Sequence, residues 1–326
     1  MRIVILAGGV GGSRFTRGAL AAFPDADVTV VVNTADDITL HGLRICPDLD
    51  TVMYALGGGI DAERGWGRAD ESWSVREELA GYGVEPAWFG LGDRDIATHL
   101  VRTQSLEAGY PLSEVTTALC RRWLADLPLV RLVPMSDERV ETPVVINDPT
   151  SPSGRRALHF QEYWVRLRAE PDALDVVQVG IADAKPAPGV VEALGDADLI
   201  MVAPSNPVVS VGPILAVPGL RAAVQRATAP VVGFSPVIGR APVLGMAHRL
   251  LPAIGVEVSA EAVGRHYGVR SAGGILDGWL VHSTDADAAT RLSDQGLPSS
   301  ATDLIMSSAE ATAAFVRTGA ELVSRS

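Results

Sequence analysis

The sequence predicts a doubly wound, mainly parallel, Rossmann-like α/β sheet that carries a helical insertion. Short apolar runs alternate with helical patterns along most of the 326 residues. The first run, residues 2–6, is apolar without interruption, as expected of a parallel strand buried on both faces. Glycines and a helical stretch from Ser13 follow it, and a second strand at 28–32 completes a βαβ opening. We therefore predict one α/β domain over residues 1–326.

The rest of the chain continues this pattern after an interruption. Residues 57–128 are predicted to form a helical insertion subdomain, with helices near 74–82, 95–108 and 113–124. Strands are expected at 129–133, 142–146, 157–160, 175–179, 198–203, 230–234 and 275–281. Helices are expected near 51–56, 189–195, 243–252, 259–266 and 309–323. Residues 284–300 are polar and are predicted to be a surface loop.

Charge and composition exclude several functional classes. The net charge of −12 argues against nucleic acid as a partner. No apolar run approaches the roughly 20 residues that cross a bilayer, and the N-terminus lacks the apolar core of a signal peptide. Cys46 and Cys120 fit small buried residues of a reducing compartment, so a cytoplasmic location is expected. Lys185 is the only lysine, which excludes a Walker A loop.

A glycine-rich turn between the first strand and the first helix is the clearest candidate for an anion site. Residues 8–12 read Gly-Gly-Val-Gly-Gly, and Gly9, Gly11 and Gly12 would let the backbone approach a phosphate. The alternative is a tight turn with no ligand. Arg14 replaces the third glycine of a dinucleotide fingerprint, and the second strand ends in Asn33 instead of an acidic residue. An NAD enzyme is therefore disfavoured.

Polar residues follow the second strand at the edge where open α/β sheets bind ligands. They are Asn33, Thr34, Asp36, Asp37, Asp48 and Asp50. Carboxylate oxygens beside a phosphate loop suit Mg²⁺, so we predict Mg²⁺ as the cofactor, with Asp50 as its main ligand and Asp48 as a second. Helix capping by Asp48 or Asp50 is the alternative.

Two further segments are candidates for the same cleft. Residues 90–95 read Gly-Leu-Gly-Asp-Arg-Asp before a helix, and Asp93 and Arg94 are candidate catalytic residues; helix capping by Asp93 or Asp95 is the alternative. His99 and Arg102 follow on that helix and face either the site or solvent. Ser205 and Asn206 end a later strand and fit either a nucleotide contact or a rigid turn.

Taken together, six ordered motifs resemble the 2-phospho-L-lactate transferase family of coenzyme F420 biosynthesis, especially its bacterial branch. Besides the glycine turn, they are Val32–Asp37, Pro47–Thr51, Leu91–Asp95, His159–Glu162 and Pro204–Pro207. The resemblance runs from Met1 to about residue 282. It implies transfer of a phosphoenolpyruvyl or 2-phospho-L-lactyl group from a guanosine diphosphate donor to the deazaflavin Fo. GMP would leave, giving dehydro-F420-0 or F420-0.

The resemblance also implies Mg²⁺ and a homodimer, and it places Phe89 and Gly90 near Fo. We expect Asp50 to bind the metal and to orient or deprotonate the acceptor hydroxyl. Asp36 and Asp37 would support the metal or bind Fo, and Ser205 and Asn206 would hold the guanosine. Fo needs a flat slot, for which Trp66, Trp88 and Phe89 are candidates, with core packing as the alternative for each.

Two rival functions stay open. One is a non-catalytic, regulatory sugar-nucleotide-binding protein of the same superfamily, which would share the glycine turn and the aspartates. The other is a sugar-nucleotide pyrophosphorylase, which the shortage of lysines disfavours.

Overall fold

The computed structural model describes residues 1–243 and 245–324. Its strands are β1 (Arg2–Ala7), β2 (Asp27–Val32), β3 (Ile38–Leu40), β4 (Leu43–Ile45), β5 (Val130–Pro134), β6 (Pro143–Asn147), β7 (Arg155–His159), β8 (Ala173–Val176), β9 (Leu199–Val202), β10 (Val231–Phe234), β11 (Val237–Ile238), β12 (Ala241–Pro242), β13 (Gly278–His282) and β14 (Ser299–Thr302). Its helices are α1 (Gly9–Ala22), α2 (Pro47–Leu56), α3 (Ser74–Gly81), α4 (Asp93–Glu107), α5 (Leu112–Trp123), α6 (Val190–Asp196), α7 (Val211–Ala216), α8 (Leu220–Arg226), α9 (Ala247–Leu250), α10 (Ala260–Tyr267), α11 (Ala286–Asp294) and α12 (Ala309–Ser324).

Seven parallel strands form the central sheet in the order β14-β13-β10-β9-β1-β2-β5. From β1 the chain first builds outward through β2 and β5, and later returns to the other side of β1 with β9. The strand order therefore reverses between β1 and β9, which is where such sheets bind ligands. The predicted α/β fold is confirmed.

Helices cover both faces of this sheet because its strands are apolar on both sides. One core packs Ile3, Ile5 and Val30 against α1, α2 and α12. The other packs Val4, Leu6 and Val31 against residues of α6, α7, α8 and α10. The alternation of faces along β1 is the period of two that a strand imposes.

Smaller elements surround the carboxyl edge of the sheet. The hairpin β3–β4 lies between β2 and α2, where no strand was predicted, and β7-β6-β8 form a separate antiparallel sheet. Helices α3, α4 and α5 lie in the predicted insertion between α2 and β5. The division into one domain with an inserted subdomain stays a prediction. No helix within 1–243 and 245–324 is long and apolar enough to cross a membrane.

Two predictions of local structure were wrong. Residues 284–300 contain α11 and the start of β14 instead of a surface loop, because Ala288, Ala289 and Leu292 lie on one buried helical face. The first helix begins at Gly9 and not near Ser13, so the glycines form its first turn. Glycine is a weak helix former, but close tertiary packing overrides propensity here.

Candidate active site

A cavity of about 660 Å³ opens at the carboxyl edge of the sheet, where the strand order reverses. Its walls come from the glycine turn after β1, from α2, from the insertion, and from the segment after β9. Of the predicted site residues, those lining it are Gly9, Gly11, Asp36, Asp48, Asp50, Phe89, Gly90, Ser205 and Asn206. A second cavity of about 350 Å³, beside the β3–β4 hairpin, is lined by none of them.

The glycine turn packs so closely that side chains are excluded from it. A Cβ atom on Gly8 would lie 2.5 Å from Oδ2 of Asp48, and one on Gly11 would lie 3.1 Å from the carbonyl oxygen of Pro204. Gly9 has a φ of +61°, in the region that favours glycine. The Gly8 N–H donates to Oγ of Ser205 (3.1 Å), and the Ser205 hydroxyl donates back to the Gly8 carbonyl (2.8 Å). These contacts join the predicted phosphate turn to the predicted nucleotide segment.

Four of the predicted site residues do not line the cavity but lie directly behind the residues that do. Gly12 packs on Ser205, since an added Cβ there would lie 2.8 Å from its Oγ. The Asn33 side-chain amide donates to Asp48 (2.9 Å). Thr34 is buried with its hydroxyl unpaired within the described chain, and Asp37 forms a 3.0 Å ion pair with Arg44. Burial, opposed by Arg44, raises the pKa of Asp37 to about 6.

Asp36 and Asp48 form an uncompensated carboxylate pair at the glycine turn. Burial raises the pKa of Asp48 to about 7, and the Asp37 charge acts in the same direction. Burial and the charge of Asp48 hold the pKa of Asp36 well above its ordinary value. Oδ1 of Asp36 has no hydrogen-bond partner among the described residues. A buried carboxylate pair without a cation is electrostatically incomplete.

Asp50 belongs to a different network, in which a buried guanidinium balances its charge. Both of its oxygens accept hydrogen bonds from the buried guanidinium of Arg102. Burial alone would lower the pKa of Arg102, but the charge of Asp50 outweighs it and raises that pKa. Nδ1 of His99 lies 3.2 Å from Nη1 of Arg102, which can only donate, so the neutral imidazole carries its proton on Nε2. That atom faces Oδ2 of Asp95 at 3.4 Å.

Asp95 completes the network on the cavity side. It accepts a 2.6 Å hydrogen bond from the Tyr54 hydroxyl. Burial opposes its ionisation, but its contacts with His99 and Tyr54 hold its pKa below the ordinary value. Asp50, Asp95 and His99 each place one possible ligand atom within 4.8 Å of the others. Arg102 already occupies Asp50 and Nδ1 of His99, so this trio offers a cation less free coordination than Asp36 and Asp48 do.

The structure does not bring Asp93 and Arg94 to the cavity lining. The Asp93 carboxylate accepts from the Ser72 hydroxyl (2.7 Å) and from the N–H groups of Ser74 (3.0 Å) and Val75 (3.0 Å). It therefore caps the start of α3, and these hydrogen bonds lower its pKa. The helix-capping alternative given above therefore applies to Asp93, except that Asp93 caps α3 and not α4, the helix that it begins.

Aromatic residues form part of the apolar lining of the cavity. Trp66 and Phe89 line it, whereas Trp88 packs on Ile38, Leu40 and Leu91 in a small core nearby. Trp164, which the sequence did not single out, also lines it. It is carried by a single π-helical turn, Glu162–Arg166, a feature often found at functional sites.

The His159–Glu162 motif reaches the same place. Gln161 lines the cavity, and its N–H donates to Nδ1 of His159 (3.1 Å), which leaves the imidazole proton on Nε2 facing the Asp37 carbonyl (3.2 Å). Burial lowers the pKa of His159, in agreement with a neutral ring. The motif thus fixes the backbone that carries Asp36 and Asp37.

Sequence reasoning missed Tyr54, Asp95 and Ser210 as cavity residues and left the orientation of His99 and Arg102 open. A signal was available in the helical spacing. Asp95, His99 and Arg102 recur at intervals of four and three on α4, and Tyr54 follows Asp50 by four on α2. Only the folded structure shows that these two faces meet, through the hydrogen bonds from Tyr54 to Asp95 and from Arg102 to Asp50.

Comparisons with known proteins agree with this geometry. The family model for 2-phospho-L-lactate transferase CofD matches residues 3–317. The chain is 60% identical to a phosphoenolpyruvate transferase of Streptomyces griseus subsp. griseus, over 99% of this chain and 98% of the relative. It is 54% identical to a phosphoenolpyruvate transferase of Mycolicibacterium smegmatis, over 99% and 98%.

A solved structure shares the fold at low identity. It is a member of the UPF0052 family from Bacillus halodurans, with a TM-score of 0.60 and 18% identity, covering 97% of this chain and 98% of that one. At this identity the likeness shows the fold alone. The family model and the sequence relatives, in contrast, span nearly the whole chain. The chain belongs to the 2-phospho-L-lactate transferase family, CofD.

Proposed function

We propose that the chain transfers a phosphoenolpyruvyl group from a guanosine diphosphate donor to the deazaflavin Fo in coenzyme F420 biosynthesis. GMP would leave, and the product would be dehydro-F420-0. The observation that carries this is the convergence of the glycine turn, the Ser205–Asn206 segment and the carboxylates in one cavity at the strand-order reversal. A volume of about 660 Å³ falls in the range of small-molecule sites.

The acid moiety is assigned from the relatives. Those at 54–60% identity are named phosphoenolpyruvate transferases, which favours enolpyruvate over lactate. A 2-phospho-L-lactyl donor, giving F420-0, is the second possibility and carries the same charged groups. A homodimer and a cytoplasmic location stay predictions.

The donor diphosphate would lie at the start of α1. The N–H groups of its first turn and the positive end of the helix dipole favour an anion there. The absence of side chains at Gly8, Gly9 and Gly11 lets phosphate oxygens approach the backbone. Ser205, which is joined to the turn through the two Gly8 hydrogen bonds, and the adjacent Asn206 would face the guanosine side.

Mg²⁺ fits the carboxylates at the same end. Asp36 and Asp48 would hold it, since Oδ1 of Asp36 is buried with no hydrogen-bond partner in the described part of the chain and burial raises the pKa of both carboxyls. Asp48 also makes a hydrogen bond with the Gly9 backbone, so carboxylate and phosphate would meet at one helix start. When bound, the cation would neutralise charge on the phosphates. Asp50 is the third candidate ligand.

The acceptor would occupy the aromatic side of the cavity. Trp66, Phe89 and Trp164 offer faces for the flat deazaflavin ring. The ribityl hydroxyl would attack the phosphorus that bears the enolpyruvyl ester, and the bond to the GMP oxygen would break. Its proton must leave with a base. Asp50 orients or accepts from that hydroxyl, and Arg102 and His99 fix the Asp50 carboxylate in place.

The test is a titration of Fo into the purified protein with Mg²⁺, followed by deazaflavin fluorescence. Enolpyruvyl and lactyl guanosine donors are then added separately, and GMP and product mass are measured. Saturable Fo binding with GMP release and the dehydro product is expected. Absence of Fo binding together with binding of a UDP-sugar would contradict the proposal and favour the regulatory alternative.

A further inference from the structure

The charge of the cavity poses a problem for an anionic donor. Five carboxylates line the described cavity wall: Asp36, Asp48, Asp50, Glu63 and Asp95. Two guanidinium groups line it, those of Arg14 and Arg64, and no lysine does. A nucleoside diphosphate ester of a three-carbon acid brings two phosphates and a carboxylate. The positive groups that meet these anions are therefore few and can be identified.

Arg64 is already engaged within the protein. Its Nη2 lies 2.9 Å from Oδ2 of Asp61 and donates to the Arg68 carbonyl at 2.9 Å. Its guanidinium also stacks on Trp66 and Trp73, at 5.3 Å from each ring centroid. Arg64 thus organises the loop that carries Trp66, and its charge is largely compensated by Asp61.

Arg14 differs in every one of these respects. It is exposed, lines the cavity, and makes no hydrogen bond or ion pair with any residue in 1–243 and 245–324. It follows Gly11 by three residues on α1, so it lies on the helix face next to the glycine turn. An added Cβ on Gly65 would lie 3.8 Å from its Nη2 and 3.1 Å from Cγ1 of Val10. The guanidinium therefore sits where the loop around Gly65 crosses α1.

We propose that Arg14 is a specificity residue that binds the carboxylate of the donor's three-carbon acid; this rests on the proposed function. The helix start and the cation serve the two phosphates, which leaves the carboxylate as the third anion. A guanidinium matches a carboxylate with two parallel hydrogen bonds, and no residue that the structure describes takes up the donors of this one. The carboxylate lies only one ester linkage beyond the second phosphate, and Arg14 lies one helical turn beyond the glycines.

A consequence is that Arg14 selects acids over uncharged groups without distinguishing enolpyruvate from lactate, since both carry the carboxylate. Carboxylate binding also gives a function to the residue that breaks the dinucleotide fingerprint at position 14.

The test compares two ligands and three variants by calorimetry, with Mg²⁺ and without Fo, so that no turnover occurs. GDP lacks the acid, and the lactyl ester of GDP carries it. The variants are Arg14→Gln, Arg14→Lys and Arg17→Gln. Arg17 is the matched control because it is exposed on α1, one turn further on, and does not line the cavity.

Arg14→Gln is expected to weaken binding of the lactyl ester about 10- to 100-fold while changing the Kd of GDP less than about twofold. Arg14→Lys should recover part of this loss, and Arg17→Gln should bind both ligands normally. Equal weakening of both ligands would assign Arg14 to a phosphate and overturn the proposal, as would no change in either. Failure of the unmodified protein to bind GDP and its ester would instead reject the proposed function itself.

Discussion

The two ends of the cavity use the same residue type in opposite electrostatic states. At the glycine turn, Asp36 and Asp48 are both buried, and burial raises the pKa of each; the charge of Asp48 adds to the shift of Asp36, and the charge of Asp37 adds to both. At the other end, Asp50 is paired with Arg102, while Asp95 accepts from Tyr54 and its pKa is lowered. We call the Asp50 end complete because Arg102 balances its charge, and the Asp36–Asp48 end incomplete because no basic side chain of the described residues forms an ion pair with either carboxylate.

The difference indicates that one end of the cavity positions a substrate group and that the other binds charged ligands. A compensated network holds its carboxylates in one geometry before any substrate arrives, which favours a reaction that depends on orientation. An uncompensated pair carries unfavourable negative charge that a bound cation would offset, and the cation would in turn favour the phosphates of the donor. We infer that the acceptor hydroxyl binds at the complete end, beside Asp50. The donor would bind with its cation at the incomplete end, beside Asp36 and Asp48.

The largest expected effect comes from breaking the complete end. Arg102→Met would leave Asp50 as a buried charge without a partner, and we expect a loss of about 3–5 kcal/mol in the free energy of unfolding. Urea denaturation measures this. The double variant Asp50→Asn/Arg102→Met should lose less, because no unpaired charge remains. A single-variant loss below about 1 kcal/mol would mean that Arg102 does not compensate Asp50.

A second effect tests the close packing of the glycine turn. Gly8→Ala would place a Cβ 2.5 Å from Asp48 and 2.7 Å from Cβ of Ser210, so we expect a loss of about 1–3 kcal/mol in stability and of GDP binding. Gly195→Ala is the matched control, since a Cβ there meets nothing within 4 Å and α6 gains helix propensity. Unimpaired GDP binding by Gly8→Ala would place the diphosphate elsewhere.

Much of the fold was predictable because its signals are local. The apolar runs of β1, β2 and β9 and the glycines after β1 are contiguous in the sequence, so the sheet and its ligand-binding edge followed from them. The hairpin β3–β4 and helix α11 were missed. The hairpin pairs only three residues on each strand, and α11 has nine residues with a narrow buried face of Ala288, Ala289 and Leu292, so neither pattern stood out from the polar residues around it.

The site divides in the same way. Residues in contiguous motifs, such as Asp36, Asp48 and Ser205, were predicted and do line the cavity. Asp95 and Tyr54 were missed because their partners lie on another helix, 41 residues apart in the chain. Asp93 shows the reverse error, since its motif is strong but its carboxylate caps α3. Motif strength gives no information on the direction of a side chain.

The smallest effect is a pH dependence at the incomplete end. The pKa of Asp48 is about 7 in the folded protein against 3.8 ordinarily, so folding favours its protonated form. Without metal, stability should therefore fall as pH rises from about 4 through 7, and Asp48 should contribute roughly 1 kcal/mol between pH 6 and pH 7.5.

Thermal unfolding of the unmodified protein and of Asp48→Asn at those two pH values measures this contribution. Asp36 and Asp37 face Asp48 and act in the same direction, so the variant should flatten the dependence without abolishing it. An unchanged dependence in Asp48→Asn would assign the effect to other groups.

The most direct test of the contrast between the two ends makes the same substitution at each. Asp36→Asn and Asp50→Asn are compared by denaturation at pH 8, with and without Mg²⁺ and GDP. We expect Asp36→Asn to be more stable than the unmodified protein without ligands and to lose the Mg²⁺-dependent gain. Asp50→Asn should be less stable, because it leaves Arg102 uncompensated, and should keep that gain. Destabilisation by Asp36→Asn, or loss of the gain only in Asp50→Asn, would contradict the account.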